Sequence, residues 1–162
     1  MKKHPSSLIT YHLSLIAILL LLSCNKEDSA TQSATPYGDV ATPAWAVDST
    51  YDLDRSMTAV VTVAQLGVPY TSVIVPVAVD SADLIATFCG DECLSLAHPD
   101  PLGRFFLFIQ APSEAHRPLT LRYYSNHYRN IFLAQDSIVF NNGSQLGTAS
   151  SPLAMQFSLM QM

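Results

Sequence analysis

Apolar residues follow two different arrangements along this chain. Residues 13–22 are apolar without a break except at Ser14, with Leu8 and Ile9 just ahead of them. From Ala44 onward the apolar positions alternate instead. Met57, Ala59, Val61 and Val63 interleave with Thr58, Val60 and Thr62, the period of two expected of a half-buried strand. The run "SVIVPVAV" at 72–79 predicts another strand, and Pro76 inside it removes a ladder donor, which places it at an edge or a bulge. Further strands are predicted over 84–89, 93–98, 104–111, 119–124, 128–134 and 137–140, with a short last one over 154–159. Turn chemistry separates them: "GDE", "HPDPLG", "APSEAHRP", "SNH", "AQD" and "NNGSQLG". No window after Cys24 carries a helical period with caps, and no internal repeat is visible. Many short strands at near-regular spacing predict an all-β fold, a two-sheet β-sandwich.

The leading run has a different meaning. Lys2 and Lys3 supply a positive start, and the apolar stretch is interrupted by Thr10 and His12. A membrane-spanning helix needs about 20 apolar residues, whereas a signal peptide needs only about 7–15. Leu21, Leu22, Ser23 and Cys24 resemble the lipobox of bacterial lipoproteins, in which a diacylglycerol thioether forms on the cysteine before cleavage. The small Ser23 gives the peptidase room, and the thiol of Cys24 sits where it meets the membrane surface. Asn25 follows where Asp would favour inner-membrane retention. Lys26, Glu27 and Asp28 resemble the lysine-plus-two-acids signal that carries lipoproteins to the outer face of Bacteroidota cells. The expected order is a signal peptide over 1–23, a lipidated flexible tether over 24–43, rich in Ser, Thr, Ala and Pro, and a β-sandwich domain over 44–162. The expected address is the outer membrane, lipid-anchored and facing the cell exterior.

Charge narrows the partners. The chain has 8 basic and 13 acidic residues. Two of the basic ones precede Cys24, so the mature chain carries 6 against 13, a balance of −7. An acidic chain with no Lys/Arg cluster argues against nucleic acid and against electrostatic docking on anionic lipid, which leaves anchoring to the acyl chains.

Candidate chemistry is sparse. In "CGDEC", a three-residue loop of Gly90, Asp91 and Glu92 would set Cys89 and Cys93 opposite each other, within disulfide reach. Two independent buried thiols are the alternative, and a zinc site or reactive thiol would lack a four-ligand set, with only His98 nearby. Asp91 with Glu92, and Asp48, Asp52 and Asp54, are acidic groups of the kind that bind calcium, but no D-x-D-x-D-G loop is present. Neither a metal nor a cofactor is implied. His98, His116 and His127 stand outside any G-x-S-x-G or H-E-x-x-H pattern, so no catalytic residue is assigned. The hairpin "RYYSNHYRNIF" offers Arg122, Tyr123, Tyr124, His127, Tyr128 and Arg129 as binding candidates. Alternation sends Tyr123 and Tyr124 to opposite faces, one to the core. The other, with its Arg and His neighbours, would be a stacking platform for a sugar ring or a protein partner, unless the aromatics simply pack across the strands. Trp45 is expected to plug the sandwich edge.

The segments "YDLDRSMTAVVTV", "DLIATFCGDECLSLA", "GRFFLFI", "LTLRYYS" and "YRNIFLAQDSIVF", with a closing "LG", resemble a module of Bacteroidota surface proteins, over about residues 44–160. The stretch from Phe88 through Gly90, Asp91 and Glu92 to Cys93 is its most specific part. The resemblance implies an immunoglobulin-like sandwich with no assigned activity. Cys89 stands where that family has an apolar residue and Leu94 where it has Arg, so no role of that Arg carries over. The expected protein is therefore a non-catalytic surface lipoprotein, a binding or accessory module for glycan or an outer-membrane protein. The alternatives are a structural subunit of an outer-membrane assembly, docking through the apolar "SVIVPVAV" edge, and a small hydrolase. Because one thiol carries the anchor, Cys24→Ala is expected to abolish fatty-acid labelling and release the protein from the membrane fraction. A labelled, membrane-bound variant would contradict the lipobox.

Overall fold

The computed structural model describes residues 37–47, 55–68, 74–111 and 118–160, all within a compact unit running from Ala34 to Met162. Cys24, the Lys26–Asp28 triplet, His116 and the acids Asp48, Asp52 and Asp54 lie outside the described residues.

The alternation of the sequence becomes an all-β fold with no helix among the described residues. The strands are β1 (Ser56–Gly67), β2 (Ile74–Val75), β3 (Leu84–Cys89), β4 (Glu92–Ala97), β5 (Arg104–Gln110), β6 (Pro118–Ser125), β7 (Asn130–Ala134), β8 (Ile138–Val139), β9 (Gln145–Leu146) and β10 (Leu153–Leu159). Seven follow one hydrogen-bonded path, β2-β1-β10-β7-β6-β3-β4, while β5 and β9 pair with β1 and β8 with β6. This mixed order is consistent with a β-sandwich.

β1 holds the arrangement together because different strands use its two halves. Thr58 is opposite Phe108 of β5 on one edge and Gln145 of β9 on the other. Further along, Leu66 is opposite Val75 of β2 and Phe157 of β10. One edge of β1 therefore passes from β5 to β2, and the other from β9 to β10. Between Val63 and Gln65 the pairing with β10 shifts register. The bulge changes the phase of the side chains: Met57, Ala59, Val61 and Val63 point inward before it, and Leu66 points inward after it.

The core is one cluster in which Ile85, Phe105, Leu107, Ile109, Leu121, Phe132 and Phe157 are shielded from solvent. Tyr123 stands at its centre, with the rings of Phe105, Phe132 and Phe157 at 6.1, 6.1 and 5.6 Å. A buried phenol needs a hydrogen-bond acceptor, and Asp83 supplies it. The Tyr123 hydroxyl donates to Asp83 Oδ2 at 2.6 Å, Asp80 N donates to the same oxygen at 2.9 Å, and Asn126 N donates to Oδ1 at 2.7 Å. Asp83 is fully buried, so these bonds replace its hydration and tie the entry of β3 to the β6–β7 hairpin. Burial, followed by the neighbouring carboxylate, pushes the Tyr123 hydroxyl far above the usual phenol range.

The segment at 37–47 is part of the fold rather than of a tether. Gly38 N donates to Tyr128 O at 2.9 Å, and Val40 N to Arg129 O at 3.0 Å. At Gly38 a β-carbon would lie 2.8 Å from Asn130 Nδ2 and 2.9 Å from Arg129 O, so the strap approaches the hairpin too closely for a side chain. Residues 37–43, read from composition as tether, are thus docked. Within the described part of the expected edge strand at 72–79, residues 74–79, only Ile74 and Val75 are paired as strand. Val75 is buried, and Val77 and Val79 pack on the core, while Ile74 is exposed.

The latch at Asp83 can be measured. Tyr123→Phe is expected to cost about 2 kcal/mol, the loss of a hydrogen bond to a charged group, and Asp83→Ala about 3 kcal/mol or more because three donors lose their acceptor. Equilibrium denaturation of the two variants gives both values; a Tyr123→Phe protein as stable as wild type would remove the latch from the account.

Candidate functional site

The aromatic hairpin does not form an exposed platform. Tyr123 belongs to the core, and Tyr124 and Tyr128 are buried as well, at 2% and 3% exposure. Tyr124 does lie on the opposite face from Tyr123, but the strap covers it. Its hydroxyl donates to Val40 O at 3.3 Å, and that of Tyr128 donates to Pro76 O at 2.7 Å. Tyr37 leans over the same corner, 5.2 Å from the Tyr128 ring and 5.8 Å from that of His127. His127 and Arg129 remain exposed, and Arg129 adopts a positive φ of 48° at the end of the hairpin loop. Arg122 is elsewhere, its guanidinium 4.0 Å above the Phe88 ring, and Trp45 meets the same ring edge to face at 5.6 Å. Trp45 therefore caps the outer face of β3 rather than an edge of the fold. The six binding candidates are split between the core, the strap and this small outer cluster.

The cysteine hairpin differs from expectation by one residue. Cys89 pairs with Glu92 and Phe88 with Cys93, so the loop is the two residues Gly90 and Asp91. Gly90 has φ +66°, the positive value that a type II′ turn needs at its first central position. A bulge then places Leu94 out of register, and it turns into the core. With a period of two, a one-residue slip sends side chains to opposite faces. Cys89 packs against the main core, and Cys93 joins Ala86, Phe88 and Trp45 on the outer face. Both are free thiols. Burial raises the Cys93 thiol above its ordinary value, against smaller opposing effects from the Ser95 carbonyl bond and Arg122, so it is a protonated packing group rather than a nucleophile. Among the described residues no group of three or more His, Cys, Asp or Glu side chains is placed to hold a metal.

Clefts open on the surface among the described residues. One, of about 630 Å³, lies where the edge of β1 passes from β5 to β2, lined by Thr62, Val63, Val79, Asp80, Asp100 and Leu102. Its carboxylates are already occupied. Asp80 Oδ1 accepts from Ala82 N at 2.7 Å, and Asp100 Oδ1 accepts from Leu102 N and Arg104 N, both at 2.9 Å. The Asp100 carboxylate also holds the Arg104 guanidinium, which keeps its pKa below the ordinary value. His98, near the rim, meets the main-chain oxygen of Ser81 and not its hydroxyl. That geometry gives no base-activated nucleophile. A smaller cleft of about 480 Å³, lined by Ile138, Val139, Phe140, Ser144 and Leu146, has no charged side chain.

The feature that stands out is on β5. Phe105, Leu107 and Ile109 fill the core, while Phe106 and Phe108 on the other face are 49% and 54% exposed. They are next to each other on that face, opposite Val60 and Thr58 of β1, with the Arg104 guanidinium 5.5 Å from the Phe106 ring. "RFFLFI" carried the signal in sequence, since a strand apolar on both faces is either covered twice or docks on something. Alone, it reads equally well as a strand buried on both sides.

No family model matches the chain, and no curated protein or solved structure is significantly similar to it.

The free-thiol geometry has a direct check. The domain from residue 34 onward, unfolded without reductant, is expected to give two Ellman-reactive thiols, from Cys89 and Cys93. No reactive thiol would show that the hairpin adopts the other register and closes a disulfide.

Proposed function

We propose that this protein is a non-catalytic lipoprotein of the outer membrane, facing the cell exterior, whose β-domain is an accessory module that docks on protein through β5. The anchor and address rest on the lipobox at Leu21–Cys24 and the charged triplet that follows. The immunoglobulin-like form of the sheet belongs to this proposal too, on the residues of the Bacteroidota module quoted above. The observation that carries the docking role is the exposed pair Phe106 and Phe108 on a strand with little else to cover it. An outward aromatic pair is the type of anchor that dominates protein interfaces. A glycan platform loses its support because the hairpin tyrosines are buried and hydrogen-bonded to main-chain oxygens. The structural-subunit alternative keeps its logic but moves from the 72–79 edge, where Val75 is buried and Val77 and Val79 pack on the core, to β5.

Replacing Phe106 and Phe108 together by Ser leaves the core face of β5 intact and removes the apolar strip. The full chain extracted in mild detergent is expected to sediment as an assembly, and the double variant as a lone chain. A wild type that sediments as a lone chain would overturn the docking role.

A further inference from the structure

We propose that the β3–β4 hairpin is a redox switch, in which a disulfide oxidant joins Cys89 to Cys93 by driving the bulge out of β4. The body of the hairpin already has the register that the bond needs. Ile85 pairs with Ala97, Ala86 with Leu96 and Thr87 with Ser95. Carried two residues further without a break, the same register sets Phe88 opposite Leu94 and Cys89 opposite Cys93. The bulge after Thr87 interrupts it, and Phe88 meets Cys93 instead. Behind the bulge the buried Ser95 Oγ donates to Thr87 Oγ1 at 3.1 Å, which pins the body in place. Only the tip, residues 88–94, has to move.

The two forms of the tip exchange side chains between existing apolar sites. In the present form Leu94 is in the main core, and Cys93 lies with Ala86 and Phe88 beneath Trp45. Removing the bulge shifts both by one residue, and a one-residue shift reverses the face. Leu94 then takes the place beneath Trp45, and Cys93 turns inward to Cys89. Glu92 favours the change. Its Oε1 is buried without a hydrogen-bond partner in the present form, a costly state for a polar atom. A three-residue loop of Gly90, Asp91 and Glu92 returns it to water. Backbone conformation opposes the change. The last residue of such a loop is left-handed, which suits Gly and not Glu. The present two-residue loop places that conformation on Gly90, at φ +66°. The thiol form therefore keeps the bulge, and a covalent bond between the sulfurs reverses the balance.

Facing residues of an antiparallel pair have Cα atoms about 4.5–5.5 Å apart, which a disulfide spans. Cys89, the less buried of the two, is the entry point. Its thiolate attacks the oxidant's disulfide, and one oxidant thiol leaves. As the tip opens, Cys93 gives up its proton and attacks Cys89 Sγ, and the second oxidant thiol leaves. Two protein thiols are oxidised to one disulfide, and one oxidant disulfide is reduced to two thiols.

Oxidised glutathione, added to the folded, reduced unit from Ala34 to Met162, tests the switch. Trp45 is the only tryptophan of the chain, so its fluorescence reads the site where Leu94 replaces Cys93. Wild type is expected to lose both Ellman-reactive thiols without gaining glutathione or a second chain. Trp45 emission is expected to shift with that loss and to return on adding dithiothreitol. Deleting Leu94 removes the extra residue of β4, leaves the two-residue loop unbulged and keeps the thiols on opposite faces. That variant is expected to stop at a glutathione adduct; if it does not fold, the wild-type readings decide alone. Thiols that persist in folded wild type, or a stable glutathione adduct there, would overturn the switch. So would a bond that leaves Trp45 emission unchanged, or a Leu94 deletion that closes as readily as wild type.

Discussion

The pairing of β1 with strands from both ends of the domain is the constraint on which the other features depend. Parallel neighbours cannot be joined by a tight turn, so β1 and β10 meet only after the intervening chain has been laid down between them. The bulge between Val63 and Gln65 lets one strand serve two sets of partners while keeping Val63 and Leu66 both inward. Its consequences reach the surface. Because β5 and β2 share one edge of β1 without meeting, a cleft opens over Thr62 and Val63. Because β5 has only β1 as a full neighbour, its outward phenylalanines Phe106 and Phe108 stay about half exposed.

Strand positions were legible because alternation survives in nearly every element. The β3 bounds coincide with the sequence pattern at Leu84 and Cys89, those of most others differ by a residue or two, β1 runs on to Gly67 past the pattern's end at Val63, and β9 falls within "NNGSQLG", which reads as a turn. Register was not legible. The sequence "CGDEC" admits both a two-residue and a three-residue loop. The choice between them depends on whether Leu94 or Cys93 is the side chain sent to the core, which is a tertiary preference. Leu buries more apolar surface than Cys, and the bulge that admits Leu94 separates the thiols. The strap was missed for a related reason. "YGDVATP" has the composition of a tether, and what docks it is a close approach at Gly38 and two main-chain bonds, neither of which leaves a hydrophobic period.

The distribution of aromatic residues between inside and outside follows from the phenol oxygen. Tyr123, Tyr124 and Tyr128 are each buried beside a fixed acceptor: the Asp83 carboxylate, Val40 O and Pro76 O. Each of these bonds ties together segments distant in sequence, so the tyrosines serve as joints between elements. Phenylalanine has no such requirement. It can fill the core, as Phe105, Phe132 and Phe157 do, or face a second surface, as Phe106 and Phe108 do, without leaving a polar atom unpaired. The sequence reading placed the binding role on the residues with hydroxyls, whereas those hydroxyls are already committed within the fold.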